Sequence, residues 1–325
     1  MIHSNNSSFN STIIQQINQL TSIMMHTLVK LSHRSAITGR RYLSSVHVDV
    51  QVKKATSSVT NITLFQYSIC PFCNINKALL AYTETPYKIT EVNPLTKAEL
   101  KFSTDGYKKV PIATIVSQEE SESESESTQI NGSEKINEAL LRIPSLLQNL
   151  SQKNNLPLET FQNSPKAQQW QTFAREDLAP ILYPNICRSL TESYQAFGYV
   201  DHVEEFTGVQ KLSIQMIGSL AMYFAASKIK TKRNISDERE ALRNALMKWG
   251  EDGLDKGKKL YGSGMEHPDM GDLAMFGVMN SVSGLKTHDE MILGKDGGDV
   301  DQVVLDWYLR MQEQVLFTGG AQWTS

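Results

Sequence analysis

The chain has 325 residues, 40% of them hydrophobic, and a net charge of −3. That is enough chain for two domains, each with its own core. The charge balance excludes a nucleic-acid footprint, since no basic stripe interleaved with aromatic residues occurs. Three cysteines exclude a small disulfide-stapled secreted scaffold.

Residues 1–42 read as a mitochondrial-type presequence, and 43–60 as a linker. The first acidic residue is Asp49, and Lys30, Arg34, Arg40 and Arg41 carry the positive charge. Ile13, Ile17, Leu20, Met24, Leu28 and Leu31 recur at helical spacing and form one apolar stripe. A Ser-rich, acid-free amphipathic leader is the composition of an imported protein. Arg40-Arg41-Tyr42-Leu43-Ser44-Ser45 resembles a matrix-peptidase site, with cleavage near Tyr42. A surface-binding helix or an unstructured tail is the alternative. No stretch reaches the roughly 18 consecutive apolar residues of a bilayer span. The expectation is therefore a mitochondrial protein, soluble or at most peripherally attached to a membrane.

The first strand is predicted over Ile62-Thr63-Leu64-Phe65-Gln66, and a helix over Asn74 to Tyr82. Between them lies Cys70-Pro71-Phe72-Cys73. Two cysteines three apart at a strand-to-helix junction point to a redox-active or thiolate site. Pro71 suits the first helical position, where its missing N–H costs nothing. Cys70 is then the N-cap and Cys73 the third helical residue. Free backbone N–H groups and the helix dipole favour negative sulfur at Cys70. A zinc site would need two further ligands. Cys187 is the one other cysteine, and the seven histidines form no ligand-like or triad pattern. The bland alternative is a pair of inert, buried cysteines.

A second strand is predicted over Pro86 to Val92, a short helix over Pro94 to Phe102, and a third strand over Lys109 to Val116. The order supports a parallel pair with a crossover helix. A Val110-Pro111 step facing a Cys-x-x-Cys motif is usual in thioredoxin-like folds. Its cis peptide would leave the Val110 N–H and C=O to pair with a peptide-like ligand such as glutathione. An ordinary strand-entry proline is the alternative. The alternating Ser and Glu of 118–127 cannot bury anything and repel one another, so they read as a solvated, lengthened hairpin loop before a short strand near Gln129-Ile130. One helix is predicted from about Glu134 to Gln148.

The remainder is helical by period. Lys166 to Tyr183 runs into a break at Pro184, and Gln210 to Ile229 carries a small-residue face. Ser236-Asp237-Glu238 opens another helix. Asp269 to Asp272 begins one that runs through Leu285. Cys187 reads as a small buried apolar residue.

The motifs Thr63-Leu64-Phe65-Gln66-Tyr67, Cys70-Pro71-Phe72-Cys73, Glu91-Val92-Asn93-Pro94 and Lys109-Val110-Pro111-Ile112 resemble the membrane-associated prostaglandin E synthase type 2 family. So do Pro184-Asn185-Ile186-Cys187-Arg188, Gly218 to Tyr223, Asp272 to Val278 and Trp307-Tyr308-Leu309-Arg310. The resemblance implies an α/β plus all-α chain. A thioredoxin/glutaredoxin-like domain over 61–150 would precede a glutathione-transferase C-terminal-like helical domain over 151–317. An aspartate like Asp272 would cap the helix that nucleates the second domain.

The resemblance also implies chemistry. Cys70 would act as the thiolate that isomerises prostaglandin H2 to prostaglandin E2, and Tyr67 would orient the thiol or an oxyanion. Phe72 would give an apolar wall to the fatty-acyl chain. Glutathione would bind at Val110, Pro111 and Ser133, the serine and the helix N-terminus taking its γ-glutamyl carboxylate. The family's acidic residue before that serine is replaced by Gly132, or displaced to Glu134. Haem would be held by Cys70 sulfur, directly or through glutathione. A homodimer through the helical domain follows by analogy. Two other functions stay open. One is a glutathione-dependent thiol–disulfide oxidoreductase, in which Cys73 resolves a mixed disulfide on Cys70. The other is a haem- or glutathione-binding mitochondrial factor without turnover.

Overall fold

The computed structural model describes residues 59–118, 126–298 and 300–316. The predicted presequence, nearly all of the linker, and residues 119–125 of the Ser-Glu stretch lie outside them.

Strand β1 (Val59–Gln66) is followed by helix α1 (Pro71–Tyr82) and strand β2 (Lys88–Glu91). Strands β3 (Ile112–Gln118) and β4 (Glu126–Asn131) form a hairpin. The sheet order is β2-β1-β3-β4. β1 and β2 run parallel, pairing Leu64 with Ile89, while β1–β3 and β3–β4 are antiparallel. The parallel pair requires a crossover, and α1 supplies it. The peptide before Pro111 is cis. This strand order, with a Cys-x-x-Cys helix after the first strand, is a thioredoxin-like domain. β1 alternates as a two-sided strand should. Ile62 and Leu64 enter the main core, while Phe65 joins Val92, Leu100 and Ile112 on the other face.

Helices α2 (Ser133–Leu140) and α3 (Pro144–Lys153) follow. The single helix expected over 134–148 is thus two, because Pro144 cannot continue a helix and takes the first turn of the next. The helix expected from Pro94 is reduced to a 3₁₀ turn, Ala98–Leu100. Asn93 Oδ1 accepts from the N–H groups of Leu95 and Thr96 and holds that segment as a turn.

The helical region comprises α4 (Leu158–Asn163), α5 (Pro165–Phe173), α6 (Ala179–Ile186), α7 (Leu190–Ala196), α8 (Gly208–Ser213), α9 (Ser219–Arg233), α10 (Glu238–Lys248), α11 (Met270–Asn280), α12 (Lys286–Met291) and α13 (Gln302–Leu316). Pro184 does not break α6, which runs on to Ile186. A π turn, Ala174–Leu178, joins α5 to α6. Pro180 has no N–H for the Glu176 carbonyl, and Arg233 Nη2 donates to that oxygen at 2.6 Å. A side chain thus takes up the acceptor that Pro180 leaves free.

A second π turn, Ile214–Gly218, joins α8 to α9. The whole run Gly208–Arg233 is long and apolar enough to cross a membrane by length and composition, and half of its most apolar window is buried in the fold. Counting consecutive apolar residues missed it, because glutamine and serine interrupt it.

Helix α11 is buried at every position. Its N-cap is Asp269, not Asp272. Asp269 Oδ1 accepts from the N–H groups of Gly271 and Asp272, and Asp272 closes the reciprocal bond to the Asp269 N–H. Asp272 also accepts from Gly262 N–H at 2.8 Å and Trp307 Nε1 at 2.9 Å. It therefore ties α11 to a loop and to the closing helix. Helix α1 is buried on nearly all sides because it lies between the sheet and α11. One continuous core links the sheet to the helical region.

Candidate active site

Cys70 is the N-cap of α1 in extended conformation, with Pro71 at the first helical position, as the sequence predicts. Cys70 is 7% exposed and Cys73 is fully buried. Burial works against a Cys70 thiolate. A hydrogen bond from the Cys73 thiol and the nearby N–H groups of Cys73 and Phe72 outweigh it, so the net pKa is lowered. No complete cap hydrogen bond closes on this side chain, so the N–H groups act mainly as aimed dipoles. Cys73 is displaced the other way, by burial and then by its bond to Cys70. Among the described residues no three His, Cys, Asp or Glu side chains cluster as a metal site.

The loop Tyr67–Cys70 is clamped from two sides. The Cys70 N–H donates to the Tyr67 carbonyl at 2.9 Å. Asn74 Nδ2, on α1, donates to the carbonyls of Ser68 and Cys70 at 2.8 and 2.9 Å. Glu91, at the end of β2, accepts from Ser68 N–H at 2.7 Å, Ser68 Oγ at 3.0 Å and Gln66 Nε2 at 3.1 Å. Burial pushes the Glu91 carboxyl up to about 7, against the pull of those donors and of Lys77. Lys77, one turn beyond Cys73 on α1, is itself 4% exposed, and burial lowers its pKa.

A cleft of about 160 Å³ opens beside Cys70. Tyr67, Phe72 and Val110 line it from the thioredoxin-like side, and Tyr183, Phe197 and Tyr199 from the helical region. Burial raises the pKa of Tyr67, Tyr183 and Tyr199, and thiolate at Cys70 raises each further. All three keep neutral hydroxyls. Gly218 completes the wall: a Cβ there would stand 2.7 Å from the Phe197 ring.

Cys70, Tyr67, Phe72 and Val110 are thus brought together at one cleft. Pro111 is buried behind Val110, and Cys73 lies behind Cys70. Gly132 and Ser133 sit apart from the cleft lining. Gly132 has φ 89°, a left-handed value suited to glycine, and Ser133 is the first residue of α2. The Ser133 carbonyl accepts from Asn76 Nδ2 on α1. Glu134, the next residue, is exposed and paired with Arg175 at 3.2 Å.

Lys77 was legible as a helix residue but carried no motif, and Glu91 opens the family-like Glu91-Val92-Asn93-Pro94 without a site role legible in it. Tyr183 and Gly218 each touch a family-like motif, Pro184-Asn185-Ile186-Cys187 and Gly218-Ser219-Leu220, and that was the available signal. Phe197 and Tyr199 had none.

The strand order and the Cys-x-x-Cys helix define a thioredoxin-like domain packed against a helical region. No family model matches the chain. Its similarity runs to prostaglandin E synthase 2. The protein of that name from Danio rerio is 29% identical over 292 residues, covering 78% of this chain and 70% of the relative. That from Mus musculus is 28% identical, covering 80% and 71%. The resemblance read from the motifs therefore extends over most of the chain. Among solved structures, a glutaredoxin 2 from Salmonella typhimurium in complex with glutathione is 17% identical, with a TM-score of 0.40, covering 80% of this chain and 99% of that one.

Proposed function

We propose that this protein is a prostaglandin E synthase type 2-like isomerase that converts prostaglandin H2 to prostaglandin E2 at Cys70. The observation that carries the reading is a thiol of lowered pKa at a helix N-terminus, opening on a largely apolar cleft beside the neutral Tyr67 hydroxyl. The similarity to relatives named prostaglandin E synthase 2 supports it.

The reaction is redox-neutral. The Cys70 thiolate forms a bond to one endoperoxide oxygen, and the O–O bond breaks. The electron pair passes to the second oxygen, which takes a proton from Tyr67 and becomes the hydroxyl. The Tyr67 phenolate then removes the hydrogen on the carbon bearing the sulfur-bound oxygen. That carbon becomes the ketone, the S–O bond breaks, and thiolate returns. The clamp on Tyr67–Cys70 keeps both groups in place through the cycle.

Glutathione belongs to the same proposal. The N-terminus of α2 and Ser133 fit its γ-glutamyl carboxylate, and Val110 at the cleft fits its cysteinyl peptide. No carboxylate at 132 meets its ammonium, so weak binding is expected. Haem would be held by the Cys70 sulfur, directly or through glutathione; that sulfur faces a largely apolar cleft and would supply a soft thiolate donor to iron. Titration with haemin, read by the Soret band in Cys70→Ser against the parent, tests it. The proposal includes a presequence over 1–42, a domain division near 150, and a homodimer through the helical region.

One observation favours a second reading. The Cys73 thiol is hydrogen-bonded to Cys70, which is where a resolving cysteine must stand for disulfide exchange. The two readings separate on haem-free, reduced protein given prostaglandin H2, with products identified by mass spectrometry. Prostaglandin E2 that is lost in Cys70→Ser and kept in Cys73→Ser supports the isomerase. No product above the spontaneous background removes that activity and leaves disulfide exchange or ligand binding without turnover.

A further inference from the structure

The cleft beside Cys70 has a second chemical feature at its rim. Every charged residue that lines it is a lysine: Lys97, Lys108 and Lys109. The rest of the lining is apolar or aromatic apart from Cys70 itself, with Leu95, Ala221 and Met222 among the walls. An apolar trough ending in three cations matches an amphiphilic anion better than a neutral lipid or a free inorganic ion.

The rim is built, not incidental. Lys97 has φ 52° and ψ 34°, a left-handed backbone that costs a non-glycine residue about 1 kcal/mol. Asn93 holds it there: the Lys97 N–H donates to the Asn93 carbonyl at 2.8 Å. Glu99 fixes Asn93 in turn, accepting from its N–H at 2.9 Å. From that position Lys97 Nζ donates to the Lys108 carbonyl at 2.8 Å. The two lysine-bearing loops are thereby tied together, and Lys108-Lys109 runs straight into Val110 beside the thiol. Burial, and then the charges of Lys108 and Lys109, make the Lys97 ammonium less favourable than in water. A carboxylate at the rim would relieve that repulsion.

We infer that Lys97, Lys108 and Lys109 form a carboxylate clamp, which makes the cleft select free long-chain acids over their esters and sets the acyl chain against Cys70. This rests on the reading of the cleft as the substrate site. It adds the residues that fix substrate polarity and the end of the chain that enters last.

The test uses the haem-free, reduced full chain, titrated calorimetrically with palmitate and with palmitate methyl ester. Neither probe can isomerise, so binding is read apart from turnover. The expected result is that the acid binds about tenfold or more tightly than the ester, as a charge-assisted contact should. Added salt should weaken the acid alone. In Lys108→Gln/Lys109→Gln the acid should lose about tenfold and the ester nothing, with an unchanged circular dichroism spectrum. Lys97→Gln, which bears on the loop structure, is run as a separate arm.

Equal affinity for acid and ester, no binding of either, or equal loss of both in the double variant would overturn the clamp. Competitive displacement of palmitate by glutathione that disappears in the double variant would also overturn it, since the carboxylate at the lysines would then be glutathione's. Acid selectivity without prostaglandin E2 formation would sink the isomerase and leave the clamp. Prostaglandin E2 formation with an unchanged KM in the double variant would do the reverse.

Discussion

Gly277 and Asn74 meet backbone to backbone. A Cβ on Gly277 would stand 2.6 Å from the Asn74 carbonyl oxygen and 2.8 Å from the Ile75 Cα. Gly277 lies mid-way along α11 and Asn74 in the first turn of α1. The helical region thus presses on the helix that carries the thiols at the one residue type that permits it. Asn74 is also a clamp on the Tyr67–Cys70 loop, so the contact reaches the active loop through a single side chain.

Gly277→Ala should therefore destabilise the protein by about 1–3 kcal/mol, the usual cost of overpacking. It should also change the reactivity of Cys70, because the helices must part beside Asn74. Urea denaturation followed by tryptophan fluorescence gives the first quantity and alkylation kinetics the second. A neutral effect on both would show that α1 and α11 separate without cost.

The three cysteines should differ sharply toward iodoacetamide. The Cys70 pKa is lowered, whereas burial pushes the Cys187 thiol up to about 11 and that of Cys73 well above its ordinary value. At pH 7 Cys70 should be modified ~tenfold faster than either of the others. Peptide mass mapping at short reaction times measures this. Cys73 reacting first would reverse the assignment of nucleophile.

Glu91 should make stability depend on pH in a defined window. Its folded pKa of about 7 lies above its ordinary 4.5. Between those values the folded protein holds a proton that the unfolded chain has released. Stability is then full below about pH 4.5, falls as pH rises through about 7, and levels off above it. Glu91→Gln should remove this component of the slope. It should also move the Cys70 alkylation profile to lower pH by roughly half a unit, since a negative charge behind the thiol is gone. Parallel denaturation series across that range measure the first effect. An unshifted alkylation profile would mean that Glu91 acts on the loop and not on the sulfur.

Gly218→Ala should narrow the cleft. Its new Cβ would meet the Phe197 ring at 2.7 Å, and the ring forms part of the wall. Affinity for a long-chain acid should fall by about tenfold, on the scale of a lost apolar contact with added strain. Alkylation of Cys70 by small reagents should persist. Calorimetry with palmitate, alongside iodoacetamide kinetics, distinguishes a reshaped wall from a misfolded site.

By itself the sequence determined the local chemistry. Cys70 as N-cap and Pro71 in the first helical turn follow from neighbours in the chain, where sterics and capping are decided within a few residues; the cis peptide before Pro111 follows from the likeness to thioredoxin folds. Local rules also misplaced some boundaries. The sequence points to a break at Pro184, whereas the helix runs on to Ile186; at Pro180 the freed Glu176 carbonyl is paired by Arg233, 57 positions away. The resemblance points to Asp272 as the cap, yet Asp269 caps the helix while Asp272 gathers donors as distant as Trp307.

Only the tertiary structure assembled the site around the thiol. Glu91 behind the loop, Tyr183 and Phe197 across the cleft and the three lysines at its rim come from separate elements. Their roles depend on burial and on charges brought together by packing, and neither is a property of any short stretch of sequence.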